Sequence, residues 1–151
     1  MLVGVISDTH GLLRPEAIAA LAEAEHILHA GDIGDPAILK ALEKIAPVTA
    51  IRGNIDRSGE CANLPATEAV ELGGKFFYLV HSLADLDIQP AAAGVAAVIS
   101  GHSHKPVIEH RNGVMYLNPG SAGPRRFNLP ITLALMTIAD EVNARIVELV
   151  R

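Results

Sequence analysis

The strongest constraint on the fold is a series of short apolar segments that each end in a polar motif. Such a segment is typical of a buried strand that delivers a polar side chain to the edge of a sheet. Five of them end in the motifs Asp8-Thr9-His10, Gly31-Asp32, Gly53-Asn54, His81 and Gly101-His102-Ser103-His104. Side chains at strand ends are held rigidly, so the sequence predicts one polar site at the edge of a sheet.

The side chains in these motifs are typical metal ligands. In an extended chain, residues at positions i and i+2 lie on the same face, so Asp8 can converge with His10, and the two histidines of the last motif can do the same. The candidate ligands are Asp8, His10, Asp32, Asn54, His81, His102 and His104. These donors exceed the about four to six ligands that one transition-metal ion needs, so two adjacent ions that share a carboxylate are expected.

The first third of the chain alternates between strand and helix patterns. We predict strands over residues 2–6, 26–29 and 48–51, and helices over residues 15–24 and 36–45. The helices are predicted because apolar residues repeat at helical spacing within them. This alternation indicates a parallel sheet.

The remainder of the chain is rich in predicted β-hairpins. The predicted hairpins pair residues 69–72 with 76–80, 107–110 with 114–117, and 131–138 with 142–150, and a further buried strand covers 96–100. Together the two parts predict an α/β fold, with two mixed sheets packed face to face and helices outside, rather than one doubly wound sheet. We expect a single domain over 1–151, which is too short for an eight-stranded α/β barrel of about 250 residues.

Charge and composition exclude several classes of protein. The formal net charge of -5 argues against a general nucleic-acid-coating surface, which needs a basic stripe to displace counterions. Cys61 is the single cysteine, which excludes an intramolecular disulfide and favours a reducing compartment. The sequence shows no signal-peptide pattern and no apolar run long enough to span a membrane. We therefore expect a cytoplasmic protein without membrane association.

Other catalytic motifs find no support in the sequence. Gly31-Asp32-Ile33-Gly34 lacks the third glycine of a dinucleotide-binding fingerprint. The chain has neither a Gly-x-x-x-x-Gly-Lys-Ser/Thr phosphate loop nor a Gly-x-Ser-x-Gly nucleophile elbow. The metal-ligand motifs therefore carry the functional prediction.

The ordered set D-x-H, G-D, G-N, H and G-H-x-H resembles that of the calcineurin-like metallophosphoesterases, and most closely that of their small YfcE-type phosphodiesterases. The resemblance covers nearly the whole chain and includes Asn118-Pro119-Gly120-Ser121. It implies a four-layer αββα sandwich, in agreement with the two-sheet pattern. It also implies hydrolysis of a phosphodiester by in-line attack of a hydroxide that bridges two metal ions.

The resemblance also implies a ligand set for each ion. It assigns Asp8, His10, Asp32 and His104 to one ion, and Asp32, Asn54, His81 and His102 to the other. Asp32 would bridge the ions, and Asp32, Asn54 and His102 would act in catalysis as groups of the metal site. Imidazole and carboxylate ligands favour Mn, Fe, Zn or Ni over Mg or Ca, and we expect two divalent transition-metal ions with Mn foremost.

Ile55 departs from the family pattern, since many relatives carry a histidine after the Gly-Asn pair and the YfcE-type branch often has cysteine there. Isoleucine neither donates a proton nor stabilises an oxyanion. Assistance to the leaving group must then come from a metal, from Asp56, from water, or from a substrate whose leaving group is good. Asp56 is either an ordinary turn residue or a group that orients the site. Ser82 is a second departure, because relatives commonly have glycine after the histidine.

Several other polar residues have both a structural and a functional interpretation. Arg125 and Arg126 are either a solvated pair or a clamp for substrate phosphate, and Arg125 is the one that we expect to touch substrate. His29 either supports the site from behind the ligands or is purely structural. Asp85 and Asp87 fit helix caps or solvated loop residues better than ligands.

Two alternatives to a phosphodiesterase remain. One is a phosphomonoesterase, and the other is a non-catalytic adaptor that keeps the fold and binds a protein partner. Adaptor relatives tend to lose ligands, whereas this chain retains all seven, so the enzyme is preferred. The resemblance also allows a homo-oligomer, either a dimer or a tetramer.

Overall fold

The computed structural model describes residues 1–150. Its strands form two sheets that pack face to face, and two α-helices pack against one of them. In chain order the strands are β1 (Leu2–Ile6), β2 (His26–His29), β3 (Val48–Ala50), β4 (Thr67–Leu72), β5 (Lys75–Val80), β6 (Val95–Ile99), β7 (Val107–Arg111), β8 (Val114–Asn118), β9 (Ile131–Ile138) and β10 (Val142–Val150). The helices are α1 (Pro15–Ala20) and α2 (Pro36–Glu43), and short 3-10 helices span Glu60–Asn63 and Leu83–Asp85.

Both sheets are mixed and contain three parallel strands each. The first sheet has the order β10-β9-β1-β2-β3, in which β1, β2 and β3 are parallel and β9 pairs antiparallel with β1. The second has the order β4-β5-β6-β8-β7, in which β5, β6 and β8 are parallel. The hairpins predicted from the sequence are β4–β5, β7–β8 and β9–β10, and each pairs antiparallel as expected.

The core between the sheets is built from alternate residues of their strands. On β1, Val3 and Val5 pack in one buried cluster with Phe77 and Leu79 of the second sheet. Ile6 packs instead in the cluster that the helices form on the opposite face. Because both faces of β1 are covered, the strand is apolar along its whole length rather than alternating with polar residues.

Both helices end earlier than the sequence pattern predicts. α1 ends at Ala20 rather than at residue 24, because the amides of Ala22 and Ala24 bond to carbonyls only three residues back. The apolar pattern continues because Leu21 and Ala24 remain buried in these turns. α2 likewise ends at Glu43, two residues short of the predicted end. Neither helix in the described part of the chain has the length and apolarity needed to cross a lipid bilayer.

The outer face of the second sheet is covered thinly. Tyr78, Val80 and Val98 lie in a cluster that Leu86 and Ile88 cover. These two residues belong to the segment 83–94, which over the described residues forms a 3-10 helix and turns rather than an α-helix. The two-sheet sandwich predicted from the sequence is confirmed, with an outer layer that is helical on the first sheet and irregular on the second.

Candidate metal centre

Polar side chains converge where four parallel strands end. β1 and β2 of the first sheet lead into Asp8 and Asp32, and β5 and β6 of the second lead into His81 and the loop 101–104. Side chains that follow the carboxyl ends of parallel strands share one edge of a sheet, and the facing sheets bring both sets together. Asp8, Asp32, His81 and His104 are each at most 6% exposed, so the cluster is buried.

The ligand loops have a left-handed backbone. The φ angles are 56° at Asp8, 45° at His10, 56° at Asp32, 70° at His102 and 63° at His104. Residues other than glycine rarely adopt this region, and holding one there costs on the order of 1–3 kcal/mol. The prediction that residues two apart converge through strand alternation is therefore wrong in its geometry. Their convergence depends on turns that the surrounding contacts hold in place.

The carboxylate of Asp8 is fixed through one oxygen and faces the cluster with the other. Its Oδ2 accepts hydrogen bonds from the Ser7 hydroxyl at 2.6 Å and from the His102 backbone amide at 3.1 Å. Its Oδ1 faces the Nε2 atoms of three histidines, 3.4 Å from His104, 3.7 Å from His10 and 3.9 Å from His81. Burial opposes ionisation, but the histidines and Ser7 outweigh it and hold the pKa of Asp8 well below its usual range.

Asp32 lies between two histidines that come from different sheets. Its Oδ1 accepts a hydrogen bond from the Ile55 amide at 3.0 Å, while its Oδ2 lies 3.3 Å from His81 Nε2 and 3.4 Å from His10 Nε2. Burial raises the pKa of Asp32, but the hydrogen bond to His81 outweighs it and lowers that pKa overall. An oxygen placed between two histidines in this way suits a bridging ligand.

The ring of His81 is oriented by the backbone. Its Nδ1 bonds to the Ala30 carbonyl at 2.7 Å, so Nδ1 carries the proton and a neutral ring presents the Nε2 lone pair to the carboxylates. Burial lowers the pKa of His81, but Asp32 and the Ala30 carbonyl outweigh it and raise that pKa. A backbone carbonyl behind the ring is the usual support of a metal-binding histidine.

Four side-chain atoms of the cluster residues are buried without a hydrogen-bond partner in the described chain: His104 Nδ1, and three that face the other ligands, Asp8 Oδ1, His10 Nε2 and His81 Nε2. Buried polar groups without partners are unfavourable, and a cation would satisfy the three that face the other ligands. The ligand atoms of the cluster form two overlapping groups of three, in each of which the atoms lie within 4.8 Å of one another. One group is Asp8, His10 and His104, and the other is Asp8, Asp32 and His81. Carboxylate oxygens together with imidazole nitrogens suit Mn, Fe, Zn or Ni. The residues therefore fit a divalent metal centre.

Gly53 and Gly101 are required by the close approach of the backbone to the two carboxylates. A Cβ atom on Gly53 would overlap the Asp32 carboxylate. A Cβ atom on Gly101 would overlap the Ser7 hydroxyl and crowd the Asp8 carboxylate. The glycine in each of these two motifs is therefore a packing requirement of the centre.

Asn54 and His102 lie at the rim of the cluster, and both are exposed. The His102 ring stands edge-on to the His81 ring, with centroids 5.3 Å apart, and Asn54 lines a surface cavity together with His81. The structure thus brings the other five predicted ligands together in the buried cluster and places these two beside His81. That is the side of the site to which the family resemblance assigns them.

Asp56 connects two ligand loops. Its carboxylate accepts hydrogen bonds from the amides of Ile33 and Gly34 at 3.1 Å and of Gly53 at 2.8 Å. These contacts hold the loop that carries Asp32 against the loop that follows β3. Because both carboxylate oxygens accept backbone hydrogen bonds, the geometry supports an orienting role for Asp56 rather than proton transfer to a leaving group.

His29 connects the loops that follow β1 and β2. Its Nδ1 accepts a hydrogen bond from the Gly31 amide at 3.1 Å, so Nε2 carries the proton and donates to the Thr9 hydroxyl at 3.1 Å. Burial lowers the pKa of His29 to about 4, so the ring is neutral near pH 7. The histidine supports the site from behind the ligands.

Ser7, Asn118 and Ser121 support the centre. The sequence pointed to two of them only through the resemblance that includes Asn118-Pro119-Gly120-Ser121, and it assigned none of the three a contact with the centre. The Asn118 amide donates to the Gly101 carbonyl at 2.9 Å and to the Ser103 hydroxyl at 3.1 Å. Ser121 donates to the backbone carbonyl that follows β1 at position 8, at 3.0 Å. A signal for Asn118 was present, because β8 is another apolar strand that ends in a polar residue.

Arg125 and Ile55 both face solvent. The Arg125 guanidinium donates to the Leu129 carbonyl at 3.1 Å, a contact within its own loop. Ile55 is 45% exposed, and its backbone amide rather than its side chain contacts Asp32. Neither side chain belongs to the buried cluster.

The chain is similar to known proteins in both sequence and fold. The chain matches the model of the calcineurin-like phosphoesterase superfamily domain over residues 1–141. It is 35% identical over 159 aligned positions to a probable metallophosphoesterase of Methanothermobacter thermautotrophicus, with 97% of this chain and 92% of that protein covered. Similar solved structures include a novel archaeal phosphodiesterase, with a TM-score of 0.79 at 24% identity and coverage of 97% and 100%. Another is Vps29 of Entamoeba histolytica in complex with zinc, with a TM-score of 0.75 at 22% identity and 99% of both chains covered.

The two solved structures show a shared fold. The family model extends over almost the whole chain and includes each of the strand-end motifs. The relative from Methanothermobacter thermautotrophicus is similar over nearly its full length. This chain therefore belongs to the calcineurin-like phosphoesterase superfamily.

Proposed function

We propose that the protein is a dimetal-dependent phosphodiesterase. The observation that carries the proposal is the set of buried, unpaired ligand atoms that face one another at Asp8, His10 and His81. One ion is assigned to Asp8, His10, Asp32 and His104, and the other to Asp32, Asn54, His81 and His102, with Mn foremost among the metals. When bound, two divalent ions supply positive charge for the phosphoryl oxygens and lower the pKa of a water toward about 7.

The contribution of the chain itself is rigid orientation. Each carboxylate has one oxygen that accepts a fixed hydrogen bond, from Ser7 at Asp8 and from the Ile55 amide at Asp32, and one that faces the cluster. Two ions and two carboxylates, with neutral imidazoles, leave a local charge of roughly +2. A phosphate anion is therefore attracted to the site although the formal net charge of the chain is -5.

Hydrolysis replaces one ester oxygen of the phosphate by a water oxygen. The water oxygen bonds to phosphorus in line with the departing ester oxygen, the bond from phosphorus to that oxygen breaks, and its electron pair stays with the leaving alcohol. The attacking water releases its proton to solvent, and the leaving oxygen takes one from solvent. The Ile55 side chain offers no proton for this step, which favours substrates with good leaving groups.

A diester is favoured over a monoester by the exposure of the site. Asn54 and His102 form an exposed rim, so a phosphate with ester groups on two sides can be accommodated. The similarity to an archaeal phosphodiesterase supports the same substrate class.

The test combines metal analysis with turnover of bis-(p-nitrophenyl) phosphate in added Mn²⁺. We expect about two bound ions per chain and hydrolysis that depends on the metal. In Asp8→Asn the rate of hydrolysis should fall by at least about 100-fold, which exceeds the usual effect of changing a residue that only supports the ligands. His110→Ala is the matched control, because His110 is exposed on β7. Absence of both stoichiometric metal and metal-dependent turnover would contradict the proposal, and faster turnover of p-nitrophenyl phosphate would identify a phosphomonoesterase.

One observation favours a second candidate, a protein-binding adaptor. Leu12, Ile55 and Leu83 are exposed by 37%, 45% and 40%, and each lies within two residues of a predicted ligand. Exposed apolar side chains beside a polar site favour an interaction surface. Stoichiometric metal binding with turnover of neither the diester nor the monoester would support the adaptor.

A further inference from the structure

A surface cavity of about 390 Å³ adjoins the proposed metal centre beside His81. Its polar lining residues are Arg52, Asn54, Thr67, His81, Asp85 and Asp87. His81 is 6% exposed, and its Nε2 is one of the buried atoms without a hydrogen-bond partner. Because His81 and Asn54 belong both to the cavity wall and to the assigned ligands of one ion, an ester group on a phosphate bound there would extend into the cavity.

The charged residues of the cavity wall are predominantly acidic. Asp85 ends the 3-10 helix Leu83–Asp85, and Asp87 follows two residues later. The Asp87 carboxylate is held by a hydrogen bond from the Tyr78 hydroxyl at 2.6 Å. The wall also contains the cation Arg52, which donates to the Leu64 carbonyl at 2.6 Å. Two carboxylates and one guanidinium leave the cavity with a local charge of roughly -1.

We propose that Asp85 and Asp87 are specificity-determining residues that select a phosphodiester whose second alcohol carries an ammonium group. The inference rests on the proposed phosphodiesterase function and adds a substrate class to it. The phosphate is drawn to the positive centre, while the ester group that enters the cavity meets negative charge. A cationic alcohol is therefore favoured, and an alcohol that carries a second phosphate or a carboxylate is disfavoured.

Three substrates with the same leaving group test the selection. These are the p-nitrophenyl phosphodiesters of choline, of its uncharged isostere 3,3-dimethylbutanol and of an alcohol that carries a carboxylate. The measured quantity is the ratio of kcat/KM for the choline ester to that for the dimethylbutyl ester, with Mn²⁺ added. Since p-nitrophenol leaves from each substrate, the ratio reports the second ester group and not the leaving group.

We expect a ratio above one in the wild-type protein, and a decrease of about two- to fivefold in each of Asp85→Asn and Asp87→Asn, as for exposed charge pairs. The amide oxygen introduced by Asp87→Asn would still accept the Tyr78 hydrogen bond, so this variant removes charge without removing the contact. The ratio should fall toward one in the double variant and in high salt. Asp140→Asn, at the exposed turn between β9 and β10, removes the same charge elsewhere and should leave the ratio unchanged.

The outcomes separate this inference from the function on which it rests. If neither the choline ester nor the dimethylbutyl ester is hydrolysed in the presence of metal, the phosphodiesterase proposal fails. If hydrolysis occurs but the ratio is near one in the wild type, is unchanged in the double variant, or falls equally in Asp140→Asn, the assignment of Asp85 and Asp87 is overturned.

Discussion

In each carboxylate of the centre, one oxygen accepts fixed hydrogen bonds and the other faces the cluster. Asp8 Oδ2 is held by Ser7 and by the His102 amide, while Oδ1 faces histidine nitrogens. Asp32 is held in the same way by the Ile55 amide. Fixing one oxygen before any ligand arrives lowers the ordering needed when a metal or substrate binds. The left-handed backbone at Asp8 and His10 is held by main-chain hydrogen bonds, from the Asp8 amide to the Gly31 carbonyl at 3.0 Å and from the His10 amide to the Asp32 carbonyl at 2.9 Å.

Ile55 determines how the reaction depends on its leaving group. Without a proton donor at this position, kcat/KM for aryl phosphodiesters should fall steeply as the pKa of the leaving phenol rises. Ile55→His should make this dependence less steep and raise the rate for poor leaving groups by about tenfold or more. That increase lies at or below the lower end of the usual contribution of a general acid. The measurement is a rate series over substituted phenols at fixed Mn²⁺.

The matched control for this series is Ile55→Leu, which keeps an apolar side chain. Ile55 is 45% exposed, and its contact with Asp32 is made by the backbone amide, so both variants should fold normally. A flat dependence in the wild-type protein, or equal slopes in the leucine and histidine variants, would contradict the interpretation of this position.

At the scale of elements, the centre depends on contacts between loops that follow neighbouring strands. Asn118 at the end of β8 holds the loop 101–104 that follows β6, through the Gly101 carbonyl and Ser103. Asp56 similarly holds the loops after β2 and β3 together. The strands place the loops at one edge, and these side chains set their final geometry.

Asn118→Ala should weaken metal binding without removing a ligand. Loss of the amide leaves the loop 101–104 less constrained, and we expect Mn²⁺ affinity to fall by about 10–100-fold, as for other residues that support metal ligands. Isothermal titration with Mn²⁺ measures the change. Asn143→Ala, on the exposed surface of β10, is the control and should bind as the wild type does. Equal affinities in the two variants would show that Asn118 has no role in ligand positioning.

Buried strands such as β1 and β9 were predictable from the sequence because each is an apolar run. The more polar strands β4, β7 and β10 were predictable because a short turn joins each to an apolar strand as a hairpin. β1, β2, β9 and β10 have the predicted bounds. The predicted helices are too long, because the apolar pattern continues into the turns that follow them. The details of the centre were not predictable in the same way. The contact between the His102 amide and Asp8 joins residues 94 positions apart, and the left-handed φ angles follow from such contacts rather than from local sequence.

At the scale of the whole molecule, the buried His29 makes stability depend on pH. Burial lowers its pKa from 6.5 to about 4 in the folded protein, so between these values the unfolded chain binds a proton that the folded protein does not. This contribution to stability is complete above pH 6.5, decreases as pH falls toward 4, and amounts to about 3 kcal/mol.

Urea unfolding of metal-free protein between pH 7 and pH 4 measures this effect. His29→Asn keeps an acceptor for the Gly31 amide but has no titrating ring, so its free energy of unfolding should fall less steeply across the range. The carboxylates titrate in both proteins, so the difference between the two plots of unfolding free energy against pH gives the contribution of His29 alone. Parallel curves for the wild type and the variant would contradict a buried neutral histidine at this position.

The central claim is that this chain forms a dimetal site that hydrolyses phosphodiesters, and one titration tests it most directly. Metal-free protein is titrated with Mn²⁺ while bound metal and hydrolysis of bis-(p-nitrophenyl) phosphate are measured in the same samples. We predict saturation at about two ions per chain, with turnover that rises mainly as the second ion binds. Saturation at one ion, or two bound ions without turnover, would contradict the claim.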